Sequence, residues 1–244
     1  MRPDIDIRSY LDTRSGLAVV ILSSLAVLAI ALLGGLLQGA LIPEAPVDVE
    51  LTMLAVSLPL TLIIPVIAVM MTAGEWSDRS IQVTQLQRPS RLTVLASKLL
   101  STVLVVAVVI AASVLLSVLA TWIGGGLLGE GADFTAVDRV MTTHVTALLA
   151  TLAFSLAMGV LTQSTVMGLL AAIGFPFIIG TARQIAMLAG SETLDGVLRA
   201  LDLQAAATVL GDGQAEAFDV LPLLILVVLP LALGAWRWSR REIG

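Results

Sequence analysis

Six long apolar runs, separated by short polar stretches, set the pattern of this chain. Leu17 to Gln38 is the first, close to the roughly 20 residues that a helix needs to cross about 30 Å of hydrocarbon. The others cover Leu51 to Ala73, Leu92 to Trp122, Val140 to Thr162, Val166 to Ala189 and Val220 to Trp236. Each is predicted to span a membrane, which makes the expected fold an all-α integral membrane protein with six transmembrane helices in a single domain over residues 1–244.

The punctuation between the runs refines this picture. Pro43, Glu44, Pro46, Asp48 and Glu50 predict a short turn outside the membrane after the first span. Pro59 and Pro65 predict a kink in the second. The clustered glycines of GGGLLGEGADF are expected to break the third. Only Gln163, Ser164 and Thr165 separate the fourth from the fifth, so these two should form a tight hairpin, and Gly174 and Pro176 lie near the middle of the fifth. In the loop from Gly190 to Asp219, Leu194, Val197, Leu198 and Leu201 recur at the spacing of one helical face, predicting an amphipathic surface helix.

Residues 1–16 are too charged to form the apolar core of a signal peptide. Ile5, Ile7, Tyr10 and Leu11 alternate there with Asp4, Asp6, Arg8, Asp12 and Arg14, as in a helix lying in the membrane interface, although a frayed polar tail fits the same short stretch.

Composition supports lipid as the solvent: 58% of residues are hydrophobic and 13% charged, against about half and a quarter in soluble domains. The absence of cysteine excludes disulfides, thiolate metal sites and cysteine nucleophiles. The placement of charge matters more than the net value of -5. With both termini and the polar stretch 75–98 in the cytoplasm, ten of the thirteen basic residues fall inside, leaving only Arg139, Arg183 and Arg199 outside with twelve of the eighteen acidic ones. That asymmetry fits the positive-inside rule.

Candidate chemistry is sparse. The chain has no GxxxxGK[ST] phosphate loop and no HExxH, and its single histidine, His144, has no second histidine with which to share a metal. No carboxylate lies in mid-span to serve as a proton relay. His144, Thr151, Ser155, Gly159 and Thr162 fall along one face of the fourth span, and two readings of that stripe stay open: a polar lining for a cargo path, or the more common small-residue packing seam.

One polar stretch carries a resemblance. Glu75, Trp76, Ser77, Arg79 and Ser80, then Thr84, then Pro89 and Arg91, then Ala96 and Lys98 resemble the signature of type-2 ATP-binding-cassette exporter permeases, in the variant of actinobacterial drug-export permeases. The LDTRSG from Leu11 to Gly16 is similar to that family's entry into its first span, with Tyr10, Asp12 and Arg14 on the interfacial helix. Many relatives have glycine where Arg79 stands.

The resemblance implies a permease that does no covalent chemistry and needs no cofactor of its own, with ATP and magnesium bound by a separate cytoplasmic ATPase. Two copies of that ATPase would clamp a homodimer of this chain in the plasma membrane of a bacterium, with lipid around it and no nucleic acid partner. Residues 75–91 would form a coupling helix on the ATPase, using Trp76, Ile81, Val83 and Leu86 as its apolar anchor, with Asp78 and Arg79 on its rim. Pro89 would end it, Ser90 would cap the third span, and Glu75 and Lys98 would flank the loop as an ion pair or against the N-terminal helix. The first and fifth spans would form the seam between protomers, packed through Gly34, Gly35, Gly174 and Pro176. The uncharged span interiors favour a hydrophobic or amphipathic cargo such as an antibiotic, a peptide or a lipid. A self-contained channel or secondary carrier, and a scaffold or sensor that recruits a cytoplasmic protein, are the alternatives.

Overall fold

The structure of the protein is a computed structural model that describes residues 2–78, 80, 90–213 and 216–240. Among these residues, six helices are long and apolar enough to cross a membrane: α2 (Arg14–Leu41), α3 (Val49–Ser77), α4 (Arg91–Leu127), α5 (Val137–Thr162), α6 (Thr165–Leu188) and α9 (Ala217–Arg240). A short α1 (Pro3–Leu11) precedes them, and α7 (Glu192–Arg199) and α8 (Leu203–Gly211) lie between α6 and α9. The result is an all-α, multi-pass membrane architecture. Its described strands are β1 (Val47–Asp48) and β2 (Ala132–Asp133), which pair in parallel.

The spans run alternately up and down. Ser77 meets Thr165 and Arg91 meets the carbonyl of Ser239 at the end that carries the termini, here the terminal end. The β1–β2 pair and α8, whose Asp212 accepts a hydrogen bond from Thr143, mark the far end.

α3 is the central helix. Asp48 starts it by accepting a hydrogen bond from the Glu50 amide at 2.8 Å, one of the donors that the first turn leaves unpaired. Val56, Leu60, Ile64, Ile67, Ala68 and Met71 form its buried seam against α2, α4 and α5. The helix continues unbroken through Pro59 and Pro65.

Lipid chains are as apolar as leucine, so helices in a bilayer associate through close contact and polar bonds rather than through exclusion of water. The contact of α2 with α4 follows that rule. Ala31, Gly35 and Gly39 recur every four residues on α2 and are buried. A Cβ on Gly35 would lie 2.2 Å from the Ala120 carbonyl oxygen, and one on Gly124 would lie 2.2 Å from the Gly35 carbonyl oxygen. This corrects two expectations. The third span is not broken at its glycines but runs through them to Leu127, because those glycines let two backbones touch. Gly35 is likewise used inside the protomer rather than at a seam between copies, and Gly34 faces Ala55 and Thr52 of α3. Gln38 adds a polar brace: its amide donates to the Gly34 carbonyl and to Thr52 Oγ1, both at 3.0 Å, and its oxygen accepts from the Asp48 amide at 3.1 Å.

The hairpin between α5 and α6 turns on Gln163, held in the left-handed region at φ 52°, and Ser164, whose Oγ accepts from the Met167 amide. α6 and α9 each contain a π-helical turn, Leu170–Gly174 and Leu224–Val228. A proline follows each by two residues, Pro176 and Pro230. A proline ring collides with the carbonyl four residues earlier in a regular helix, and a widened turn relieves that collision.

The 190–219 loop holds two helices rather than the single one expected. The amphipathic α7 leaves Leu194 and Val197 exposed. α8 instead buries Leu203, Ala206 and Ala207 and packs on α5.

Candidate functional site

Two regions bring candidate residues together, one at each end of the bundle. At the terminal end, Glu75 occupies the last turn of α3 and Lys98 the second turn of α4. Lys98 Nζ donates to Glu75 Oε1 at 2.6 Å, with only 5% of the lysine side chain exposed. The pair thus joins the two helices from which the 78–90 connection departs. Trp76, expected as an anchor for a partner, is half-buried and packs edge-on against Trp238 of α9, ring centroids 5.0 Å apart. Val94, Leu95 and Val160 complete that cluster, within which Trp238 is fully buried.

α1 lies across the start of α4. The Arg2 amide donates to Ser97 Oγ at 3.2 Å, Ser97 Oγ donates to Asp6 Oδ2, and Ser101 Oγ donates to the Pro3 carbonyl at 3.3 Å. The chain then turns at Thr13, whose Oγ1 accepts from the Gly16 amide and caps α2. Gly16 must be glycine, since a Cβ there would lie 2.0 Å from the Tyr10 carbonyl oxygen. Tyr10 is buried, its hydroxyl has no hydrogen-bond partner among the described residues, and burial pushes its phenol up to about 12. Asp12 and Arg14 are exposed at the α1–α2 junction.

Some of the sequence expectations shift here. Glu75, Trp76 and Ser77 are helical rather than part of a loop, and Arg91 is the first residue of α4. Asp78 and Ser80 are exposed beyond α3. Ser90 stands at the N-cap of α4 but bonds no backbone amide, because its Oγ accepts from Thr93 Oγ1 at 2.9 Å. The expectations for Arg79, Ile81, Val83, Thr84, Leu86 and Pro89 fall outside the described residues. Ser97, Trp238 and the contact of Ser77 with Thr165 were missed by sequence reasoning. The polar serine in an apolar run was a visible signal for the first of these.

At the far end, His144 ties three spans together. Its Nδ1 is 2.7 Å from Ser57 Oγ of α3 and its Nε2 is 3.3 Å from Ser113 Oγ of α4. Each serine hydroxyl also lies within hydrogen-bond distance of a backbone carbonyl, Met53 and Ile110. A neutral imidazole has one donor and one acceptor, so one serine must turn its proton from the carbonyl to the ring. A cavity of about 550 Å³ opens beside this ring between α3, α5 and α8, reaching Thr143, Thr151 and Gln204. Gln204 Nε2 donates to Thr151 Oγ1 at 2.7 Å.

The polar stripe on α5 therefore divides. His144 and Thr151 line the cavity, whereas Ser155 is fully buried and gives its proton to the Thr151 carbonyl at 2.6 Å. Gly159 meets Thr72 of α3, where a Cβ would lie 2.2 Å from Oγ1. Ser155 and Gly159 thus form the packing seam, not the path. Among the described residues, no group of three His, Asp or Glu side chains is arranged to hold a metal ion.

A family model described as "Protein of unknown function (DUF2705)" matches residues 41–244. No curated protein and no solved structure matches the chain.

Proposed function

The chain belongs to the DUF2705 family, and we propose that it is the membrane-spanning subunit of an ABC exporter, driven by a separate cytoplasmic ATPase. In this reading the terminal end faces the cytoplasm, two copies of the chain pair in a bacterial plasma membrane, and an amphipathic or hydrophobic cargo leaves by alternating access. The 78–90 connection delivers the motion of the ATPase.

The observation that carries the proposal is the mounting of that connection. Its two bases are joined by the Glu75–Lys98 ion pair, and its first base is packed through Trp76 on α9. A push on a connection fixed in this way moves α3, α4 and α9 instead of being absorbed at a loose hinge. Separating the pair would leave the Lys98 ammonium, only 5% exposed, without its counter-charge, which disfavours opening at this point. A scaffold that only recruits a cytoplasmic protein has no need of a ligand-sized cleft, and the open 550 Å³ cleft beside His144 favours cargo.

The test is to purify the chain in mild detergent, identify what accompanies it, and assay the complex for ATP hydrolysis in liposomes. A stoichiometric ATPase whose activity is lost on replacing Trp76 and Lys98 together supports the reading. Recovery of the chain alone from cells that express its genomic neighbours overturns it.

A further inference from the structure

A second cavity, of about 220 Å³, adjoins the cleft beside His144 between α5, α6 and α8, and Thr61, Thr151 and Gln204 line both, with the Gln204–Thr151 hydrogen bond at their boundary. The two arms differ in chemistry. The smaller is walled by Phe154, Phe175, Ile179 and Leu226, beside the π turn of α6, with Asp202 also lining it but held in an ion pair by Arg183. The larger carries His144 and Thr143 and, at its mouth, Arg139, Glu50 and Asp212.

Depth separates the arms in the same sense. Thr143 and Phe154 are 11 residues apart on α5, about 16 Å along the helix axis at 1.5 Å per residue. The larger arm opens at Glu50 and Arg139, in the first turns of their helices, and reaches down to Thr61 and Thr151, where the apolar arm begins. A membrane amphiphile has that arrangement already.

The mouth sets the head group. Arg139 is exposed and has no ion-pair partner among the described residues, while the carboxylates of Glu50 and Asp212 line the same cavity. One positive and two negative groups around one opening suit a ligand that carries both signs. A purely anionic head would meet the two carboxylates, and a purely cationic one would meet the arginine.

We propose that this cleft is a binding site for a single-chain membrane amphiphile with a zwitterionic head, the chain in the arm at Phe154 and the head at Arg139, Glu50 and Asp212. As the identity of an exported cargo this rests on the exporter reading; as a binding site it stands on the cavity alone.

The experiment uses the purified chain in maltoside micelles and an alkylphosphocholine with a photoreactive diazirine at its chain end. The expected result is saturable labelling of the peptides that contain Phe154 and Phe175. Unlabelled alkylphosphocholine should compete about tenfold better than an alkyl sulfate or an alkyltrimethylammonium of equal length. Thr151→Trp should block the junction and reduce labelling, as should Thr61→Trp, which places the ring from an exposed position and so spares the fold. Equal competition by all heads, or labelling unchanged in the Thr61→Trp protein, overturns the proposal. Head-selective labelling without any recovered ATPase keeps this site and removes the exporter reading. A recovered ATPase with head-blind labelling does the reverse.

Discussion

Gly35 and Gly124 meet backbone to backbone, with no room for a single methyl group between α2 and α4. Gly124→Ala should therefore destabilise the protein by about 1–3 kcal/mol, the usual cost of forcing extra volume into a packed site. Gly34→Ala, where the nearest atom is Ala55 Cβ at 3.4 Å, should be close to neutral. Thermal unfolding in detergent, followed by tryptophan fluorescence, compares the two, and equal losses would contradict the contact.

The Glu75–Lys98 pair predicts an asymmetry. Lys98 is the more deeply buried partner, 5% exposed against 23% for Glu75, so Glu75→Gln leaves the worse-solvated charge behind. That variant should lose about 3–5 kcal/mol and Lys98→Met less, with the double variant recovering part of the loss. A double-mutant cycle on unfolding checks it; strict additivity would mean that the pair contributes nothing.

Tyr10 is the chain's single tyrosine, so tyrosinate absorbance reports on it directly. Its midpoint should lie near pH 12 rather than 10.0. Unfolding returns the phenol to its ordinary value, so between these two pH values the unfolded chain loses its proton first and stability falls as pH rises; below that window Tyr10 adds no pH dependence. Tyr10→Phe should remove this loss, and should be neutral or slightly stabilising at neutral pH because the hydroxyl it deletes has no partner among the described residues. An absorbance midpoint at the ordinary value would refute the burial.

The chain has no cysteine, which allows single reporters. In whole cells a membrane-impermeant maleimide should label Asp133→Cys and leave Ser80→Cys untouched until the membrane is opened. The opposite pattern would invert the orientation proposed above.

His144 holds its two serines unequally. Ser57→Ala, at 2.7 Å, should cost about 1–3 kcal/mol, and Ser113→Ala, at 3.3 Å, should cost less. Denaturation of the purified variants measures the difference.

The six spans were legible in the sequence because a helix that crosses hydrocarbon must be long and apolar, and that constraint acts on composition residue by residue. What escaped was pairing across distance. Gly124 carries the same local signal whether it ends a helix or lets another backbone approach, and only the position of Gly35 decides between them. Ser90 has the right identity and place for a cap, yet Thr93 competes for its oxygen. The stripe from His144 to Thr162 was visible as a face, but its division at Ser155 depends on where α3 and α8 pack. Trp76 looked like an anchor for a partner because the Trp238 that receives it lies 162 positions away.

The π turns of α6 and α9 have a consequence for how the two helices are read along their length. Each wide turn takes up one extra residue, so counting sides at the α-helical step of about 100° per residue across Leu170–Gly174 or Leu224–Val228 puts the later residues out of phase by one step. Removing one residue from Leu170–Gly174 would restore a regular helix and leave Phe175 and Ile179 on the apolar arm, because the wide turn already absorbs the extra residue within one revolution. In other members of the family, a one-residue gap at either place would therefore mark a regular helix that presents the same cavity wall.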